Sequence, residues 1–344
     1  MKKSVSIIGL ILLLASIVLC FVMKAEFDYK SKIDRYLEKT GKSLFTFLCV
    51  GVDDIASNTD SILLISLDVS DKSVCVMQLP RDTFFEHGGS TDKINNVYSS
   101  FLQEEKTRQE SFALLKEQIS NTFSIPIDFY ISYNSASVAN IIDEIGGIEL
   151  DIPFDMYYID KEQGLCIDIK KGKQHLSGEQ AVLYARYRDE YLEGDVGRLD
   201  AQKKLFSAVF EKAKSVLTIE KGLSVVNKYA SLFETDITFD CAIMLAAFFA
   251  SDELEHSDVL YLTAPGESSK DEISGTWYYI INKESCVDVI KQHFSHSFDI
   301  RTFDENEILF DHNNIKFENI YNAPKYEYQL YSGENVKEID VKTK

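Results

Sequence analysis

Basic residues are in short supply in this 344-residue chain, where 36 Lys and Arg stand against 55 Asp and Glu for a formal net charge of -19. Phosphate backbones are captured by broad basic surfaces, so this balance excludes general nucleic-acid binding. Any anion the chain does bind must be drawn to a local patch. Cysteine and histidine, six of each, lack the spacing of metal ligands. Cys20, Cys49, Cys75, Cys166, Cys241 and Cys286 mostly sit among apolar neighbours and read as small core residues. An exported chain forms disulfides, but nothing here selects a pair. No HExxH or similar zinc motif occurs, and the two closest histidines, His293 and His296, read as solvated helix residues. Tryptophan occurs once, in Trp277-Tyr278-Tyr279, a run read as packing rather than sugar binding.

What is present is ample for a folded domain: 45% of the residues are apolar, enough for a packed core at this length. After Met1-Lys2-Lys3 comes SVSIIGLILLLASIVLCFVM, Ser4 to Met23, long enough as a helix to cross a bilayer. The lysine pair before it predicts a single-pass protein of the cell membrane, with residues 1–3 in the cytoplasm and everything after Lys24 outside. No small-x-small cleavage site follows the apolar run, which favours a retained anchor over a cleaved signal. Leu19, before Cys20, is too bulky for lipoprotein processing. Residues 24–42 are strongly charged and read as a juxtamembrane helix or spacer.

Three runs of β-branched and aromatic residues follow: Leu44 to Val52, Ser61 to Val69 and Ser73 to Leu79. Their connections are too short for helical crossovers, so neighbours are expected to be antiparallel. Asp53, Asp60 and Arg81-Asp82 then fall at one edge of the sheet. Taken alone, Asp53 and Asp60 fit equally well as turn formers. Beyond Lys93-Ile94-Asn95 the chain alternates: a helical pattern over Glu110 to Phe123, a strand in IDFYISYN, a helix opened by Asn134 or Ser135 and closed by Gly146-Gly147, then a strand in IELDIP. The fold class is α/β, a sandwich of helices about a mixed sheet. The tail from Arg301 is polar, with a loose end in NVKEIDVKTK.

Against the acidic background, YARYRDEYLEGDVGRLDAQ gathers Arg186, Arg188 and Arg198. Ser177 and Gln180 have the spacing of a capping box and start a short helix through Tyr184. Arg186 and Arg188 follow at its exit, where the chain extends and both side chains can face one way. On the next helix Arg198, Gln202, Phe206 and Phe210 form an i, i+4 row, polar at its start and apolar beyond. Three guanidinium groups near a helix start suit a phosphate or pyrophosphate. An arginine cluster solvated and paired with Asp189, Glu190, Glu193 and Asp195 is an equal alternative on composition alone.

The segments LCVGVDD, TDSILLISLD, LPRDTF, DKINNVYS, IPIDFYISYN, IIDEIGGIELDIP, LSGEQAVLYARYRDE and GDVGRLDAQ, in this order from Leu48 to Gln202, resemble the LytR-CpsA-Psr phosphotransferases of Gram-positive cell envelopes. The resemblance implies a catalytic core over 43–214 and thins from Ser215; the pattern of 215–300 reads as completing the extracellular domain, with 301–344 as its polar tail. It implies transfer of a glycopolymer phosphate, teichoic acid or capsular polysaccharide, from a polyprenyl-pyrophosphate carrier to a peptidoglycan hydroxyl at the plasma membrane. By the same resemblance Asp53 and Asp60 match magnesium-associated aspartates, with manganese as a substitute ion. Arg81, Lys93, Arg186, Arg188, Arg198 and Gln202 match pyrophosphate-binding positions, and Arg81, Asp82 and Asp195 are the implied catalytic residues. The chemistry agrees, since phosphoryl transfer needs positioning and charge neutralisation more than covalent help.

Two positions depart from that pattern: Asn58 and Ala201 stand where the family often has arginine. The lost charge at Asn58 weakens phosphate binding or marks a different donor, and neither change removes an implied metal ligand. A carboxylate beside arginines is a poor general base, so Asp82, Asp53 and a metal-polarised acceptor stay open. A tethered protein that captures lipid-linked glycan without transfer, and a hydrolase acting on the pyrophosphate, are the rival readings.

Overall fold

Unbroken apolar runs such as LFTFLCVGV mark strands covered on both faces, and that is where the chain places them. The computed structural model describes residues 29–53, 58–87, 90–161, 165–187, 195–216, 233–250, 259–271, 274–294, 329–332 and 337–340. The elements begin with α1 (Tyr29–Thr40), β1 (Leu44–Val52), β2 (Thr59–Asp68), β3 (Ser73–Leu79), β4 (Phe84–His87) and β5 (Ser90–Lys93). Next come α2 (Ile94–Gln103), α3 (Arg108–Phe123), β6 (Phe129–Tyr133), α4 (Ser135–Glu144), β7 (Ile148–Ile152), β8 (Met156–Asp160), β9 (Leu165–Ile169) and β10 (Gly172–Leu176). Then follow α5 (Gly178–Arg186), α6 (Asp195–Val216), β11 (Glu234–Thr235), α7 (Phe239–Ala250), β12 (Val259–Thr263), β13 (Gly266–Lys270), β14 (Trp277–Ile281), α8 (Lys283–His293), β15 (Gln329–Ser332) and β16 (Lys337–Asp340). They fall into two compact units. One takes the residues to Gly41, Gly51–Ile55 and Ile131–His256; the other takes Lys42–Val50, Ala56–Tyr130 and the residues from Ser257.

In the second unit β1, β2, β3, β12, β15 and β16 follow one another across a sheet. Every residue of β1 and β2 is buried. β2 and β3 are antiparallel, from Ile62 opposite Leu79 to Asp68 opposite Ser73, and the Asp68 carboxylate closes their turn by accepting from the Ser70 and Asp71 amides. β12 runs parallel to β3, Val259 against Val74 and Thr263 against Gln78, which makes the sheet mixed as expected. Helices α2 and α3 cover it with Ile94, Val97, Tyr98 and Phe101 and with Phe112, Leu115, Ile119 and Phe123. The Phe112 ring stacks on Tyr98 at 4.3 Å and on Tyr130 at 5.3 Å between centroids. A capping box at Thr107 and Glu110 fixes the start of α3.

In the first unit α4 is opened by Asn134, one of the two expected residues, through a capping box with Ser137, and α5 starts on the expected capping box of Ser177 and Gln180. The two helices approach so closely that a Cβ on Gly178 would lie 1.9 Å from the Ala139 carbonyl oxygen. The Gly178 amide meanwhile donates to Asp143 at 2.6 Å. The antiparallel pair β7–β10 and the hairpin β8–β9 flank this pair, and α1 packs on α7 with a Lys39–Asp240 ion pair.

Several expectations change. β2 begins at Thr59, so Asp60 lies inside the strand rather than in the loop before it. The tail is not loose at 337–340, because Leu330 and Ile339 pair across an antiparallel β15–β16 ladder. His293 is half-buried at the end of α8 rather than solvated, and burial pushes its imidazole pKa down. His296 lies outside the described residues. Tyr279 packs as expected, but Trp277 is 56% exposed. Cys49, Cys75, Cys241 and Cys286 are buried core thiols while Cys166 is exposed, and none of these five forms a disulfide. The expected anchor from Ser4 to Met23 lies outside the described residues, among which no helix is long and apolar enough to cross a membrane.

Candidate functional site

The β2–β3 register decides the first contact. With Ile62 opposite Leu79, two more residues along each strand bring Asp60 opposite Arg81. Arg81 Nη1 donates to Asp60 Oδ1 at 2.8 Å, with the carboxylate side chain 2% exposed and the guanidinium side chain 16%. Pro80 ends β3, since it has no amide for a ladder, and its carbonyl accepts from both the Thr83 amide and the Thr83 hydroxyl. The chain therefore turns sharply at Arg81-Asp82 and presents both side chains from a fixed backbone.

The turn is held again from the β4–β5 hairpin. Phe84 pairs with Lys93, and the ladder continues through Ile94 N to Thr83 O at 2.8 Å and Asn95 N to Arg81 O at 3.3 Å. Lys93, the residue before α2, makes no side-chain cap for that helix; its ammonium instead donates to Asp82 at 2.9 Å. Asn95 is buried too. Its backbone carbonyl accepts from Thr59 Oγ1 at 3.3 Å, and its side-chain Oδ1 has no hydrogen-bond partner among the described residues. Attention to charge alone passes over Asn95; its place two residues after Lys93 in DKINNVYS was the available signal.

The first unit carries the other cations. Arg186 is the last residue of α5, and the chain extends only from Tyr187 (φ -65, ψ 141), so Arg186 is helical rather than part of an extended exit as the sequence reading had it. Tyr187 is buried against Phe154, ring centroids 6.0 Å apart, which fixes where the helix stops. Arg188 lies outside the described residues. Helix α6 opens at Asp195. Its row of Arg198, Gln202, Phe206 and Phe210 is buried throughout, Arg198 at 1% exposure. Burial of a guanidinium is tolerated only with charge or acceptors about it, which argues against the solvated-cluster alternative for this residue. Gln202 Nε2 donates to the Ala185 carbonyl at 3.1 Å, fastening α6 to the last turn of α5 beside Arg186. Ala201 is buried and Asn58 partly exposed.

Asp53, directly after β1, is as buried as Asp60. Carboxylate oxygens are hard donors and suit magnesium or manganese. Among the described residues no three His, Cys, Asp or Glu side chains gather as a metal cage. Magnesium is commonly held by one or two carboxylates completed by phosphate oxygens and water, and each of these aspartates is a donor of that kind.

The LytR_cpsA_psr family profile matches residues 20–295. The chain is 29% identical over 286 residues to the polyisoprenyl-teichoic acid–peptidoglycan teichoic acid transferase TagV of Bacillus subtilis strain 168, covering 79% of this chain and 70% of that protein. It is 25% identical over 297 residues to the Enterococcus faecalis transferase TagU, covering 80% and 89%. The crystal structure of B. subtilis TagV superposes with a TM-score of 0.60 at 28% identity, covering 74% of this chain and 98% of that one. Its mixed sheet flanked by helices is the architecture found here.

Proposed function

Because the chain belongs to the LytR-CpsA-Psr family, we propose that it is a membrane-anchored phosphotransferase moving a glycopolymer phosphate from a polyprenyl-pyrophosphate carrier to a peptidoglycan hydroxyl. The relatives' names specify teichoic acid, which makes it the favoured polymer over a capsular polysaccharide. The observation that carries the reading is the Arg81–Asp60 pair. A guanidinium held by a buried carboxylate at a rigid turn is a planar donor with one orientation, as recognition of phosphate oxygens requires.

In the reaction, an acceptor hydroxyl attacks the phosphorus attached to the glycan. The bond to the bridging pyrophosphate oxygen breaks, a phosphodiester forms, and polyprenyl monophosphate leaves. The hydroxyl proton passes to solvent or to the departing phosphate. Arg81, Arg186, Arg188 and Arg198 hold the pyrophosphate oxygens, with Lys93 and Gln202 completing the shell. Asp82 and Asp195 orient these cations. The Asp82 carboxylate accepts from the Lys93 ammonium. Magnesium or manganese at Asp53 and Asp60, when bound, would neutralise charge on the phosphates. A single-pass anchor over Ser4 to Met23, with the domain outside, would keep the enzyme beside a carrier whose lipid never leaves the bilayer.

The test supplies the full chain in detergent with a glycan-labelled polyprenyl-pyrophosphoryl donor, peptidoglycan oligomers and magnesium. Label should move to peptidoglycan, stop on chelation and resume with magnesium or manganese. Donor that binds but stays intact would make this a capture protein, the outcome to which Asn58 points. Lipid phosphate released without a peptidoglycan product would make it a hydrolase.

A further inference from the structure

The turn that carries Arg81 and Asp82 is held by an element almost two hundred residues further along the chain. Tyr279 N, on β14, donates to the Asp82 carbonyl at 2.8 Å, and Thr83 and Tyr279 form a parallel bridge. The next residue outward, Tyr278, sets its ring edge-to-face on Phe84 at 5.5 Å between centroids. Phe84 and Ile280 are buried together with Tyr278 packed on them. Lys93 Nζ lies 5.9 Å from the centroid of that same ring while donating to Asp82 at 2.9 Å. Hairpin β13–β14, with Lys270 opposite Trp277 and Gly266 opposite Ile281, supports the strand from behind. A Cβ on Gly266 would lie 2.3 Å from the Ile280 carbonyl oxygen, so the two strands meet as closely as a glycine permits.

From these contacts we infer that Tyr278 is the positioning residue for Lys93, holding its ammonium between an aromatic face and the Asp82 carboxylate. The inference rests on the functional reading only in taking Lys93 and Asp82 as working residues. A lysine side chain has four rotatable carbon bonds and a strongly hydrated head, so one hydrogen bond at a half-exposed site does not fix it. An aromatic face within about 6 Å adds attraction without competing for the carboxylate. It also excludes water from one side of the ammonium. The ring of Tyr278, not its hydroxyl, makes this contact, so phenylalanine should serve as well and leucine should not.

The experiment compares full-length protein with Tyr278→Phe and Tyr278→Leu. It follows acylation of each lysine by a water-soluble active ester with mass spectrometry, and runs transfer assays in parallel. Lys93 should be acylated roughly two- to fivefold faster in Tyr278→Leu, the span expected of an exposed cation–π contact, and at the parent rate in Tyr278→Phe. Lys116 and Lys270 serve as internal standards of folding. In transfer, Tyr278→Leu should lose a similar factor in a Lys93-containing protein and nothing further in a Lys93→Met background. An unchanged Lys93 rate in Tyr278→Leu would overturn the inference, as would a Tyr278→Phe rate equal to that of the leucine variant. An equal transfer loss with and without Lys93 would overturn it too. Should the parent transfer nothing at all, the functional reading fails while the acylation rates still decide the role of Tyr278.

Discussion

Removing the Arg81 charge while keeping its stem, as Arg81→Met, isolates the electrostatic part of the β2–β3 end. The side chain is already 16% exposed, but the Asp60 carboxylate it leaves behind is only 2% exposed. Breaking a buried pair from one side costs about 3–5 kcal/mol, mostly the penalty of the charge left alone. Partial exposure of the arginine places the expected loss near the lower end, about 3 kcal/mol. Adding Asp60→Leu removes the stranded charge and should restore most of the loss, because a buried pair exchanged for apolar groups is often neutral. Urea denaturation of the parent, the single variant and the double variant measures both quantities. A loss under about 1 kcal/mol, the range of exposed pairs, would refute the reasoning, and so would a double variant less stable than the single one.

Gln202→Leu removes the amide that holds the Ala185 carbonyl; a net loss of about 1–2 kcal/mol is expected, read as a lower unfolding midpoint together with weaker donor binding through Arg186. His293 titrates lower in the folded chain than its ordinary 6.5 because of burial. As pH falls below about 6.5 the unfolded chain takes up a proton that the folded chain refuses, and stability declines. His293→Gln should flatten that part of a midpoint-against-pH curve. Burial pushes the Cys49 and Cys75 thiols well up and Cys286 up to about 12. Among the described cysteines an aromatic disulfide reagent should therefore modify Cys166 at native pH and the others only on unfolding, as mass mapping would show.

Periodicity and capping chemistry are local, and they are legible: the ends of β1 and β3, the helix opening at Asn134, the capping box at Ser177 and the antiparallel β2–β3 pair all stand as the sequence indicates. Asp60 was harder, because an aspartate beside Asn58 and Thr59 has every local mark of a turn former. Its partner across the strand, Arg81, helps make that burial tolerable. Helix α5 runs two residues past Tyr184, to Arg186, for a similar reason. Tyr187 packs against Phe154, and Gln202 holds the carbonyl of Ala185, so tertiary contacts settle where α5 stops. Trp277 and Tyr278 were read as one packed aromatic run. A strand alternates its faces, and the hairpin buries Tyr279, half-covers Tyr278 and leaves Trp277 exposed. The role of Tyr278 depends on Lys93 and Asp82, far away in the chain, and no local pattern encodes that meeting.

The central claim concerns which bond is made, and phosphorus NMR of the product tests it most directly. Donor carrying a polyprenyl pyrophosphate is incubated with the full chain and peptidoglycan, and the modified peptidoglycan and the lipid fraction are then separated. A phosphodiester resonance on the peptidoglycan, matched by one polyprenyl monophosphate per linkage, is the result the account predicts. A pyrophosphate resonance that survives on the lipid, or a glycan phosphomonoester free in solution, would contradict it.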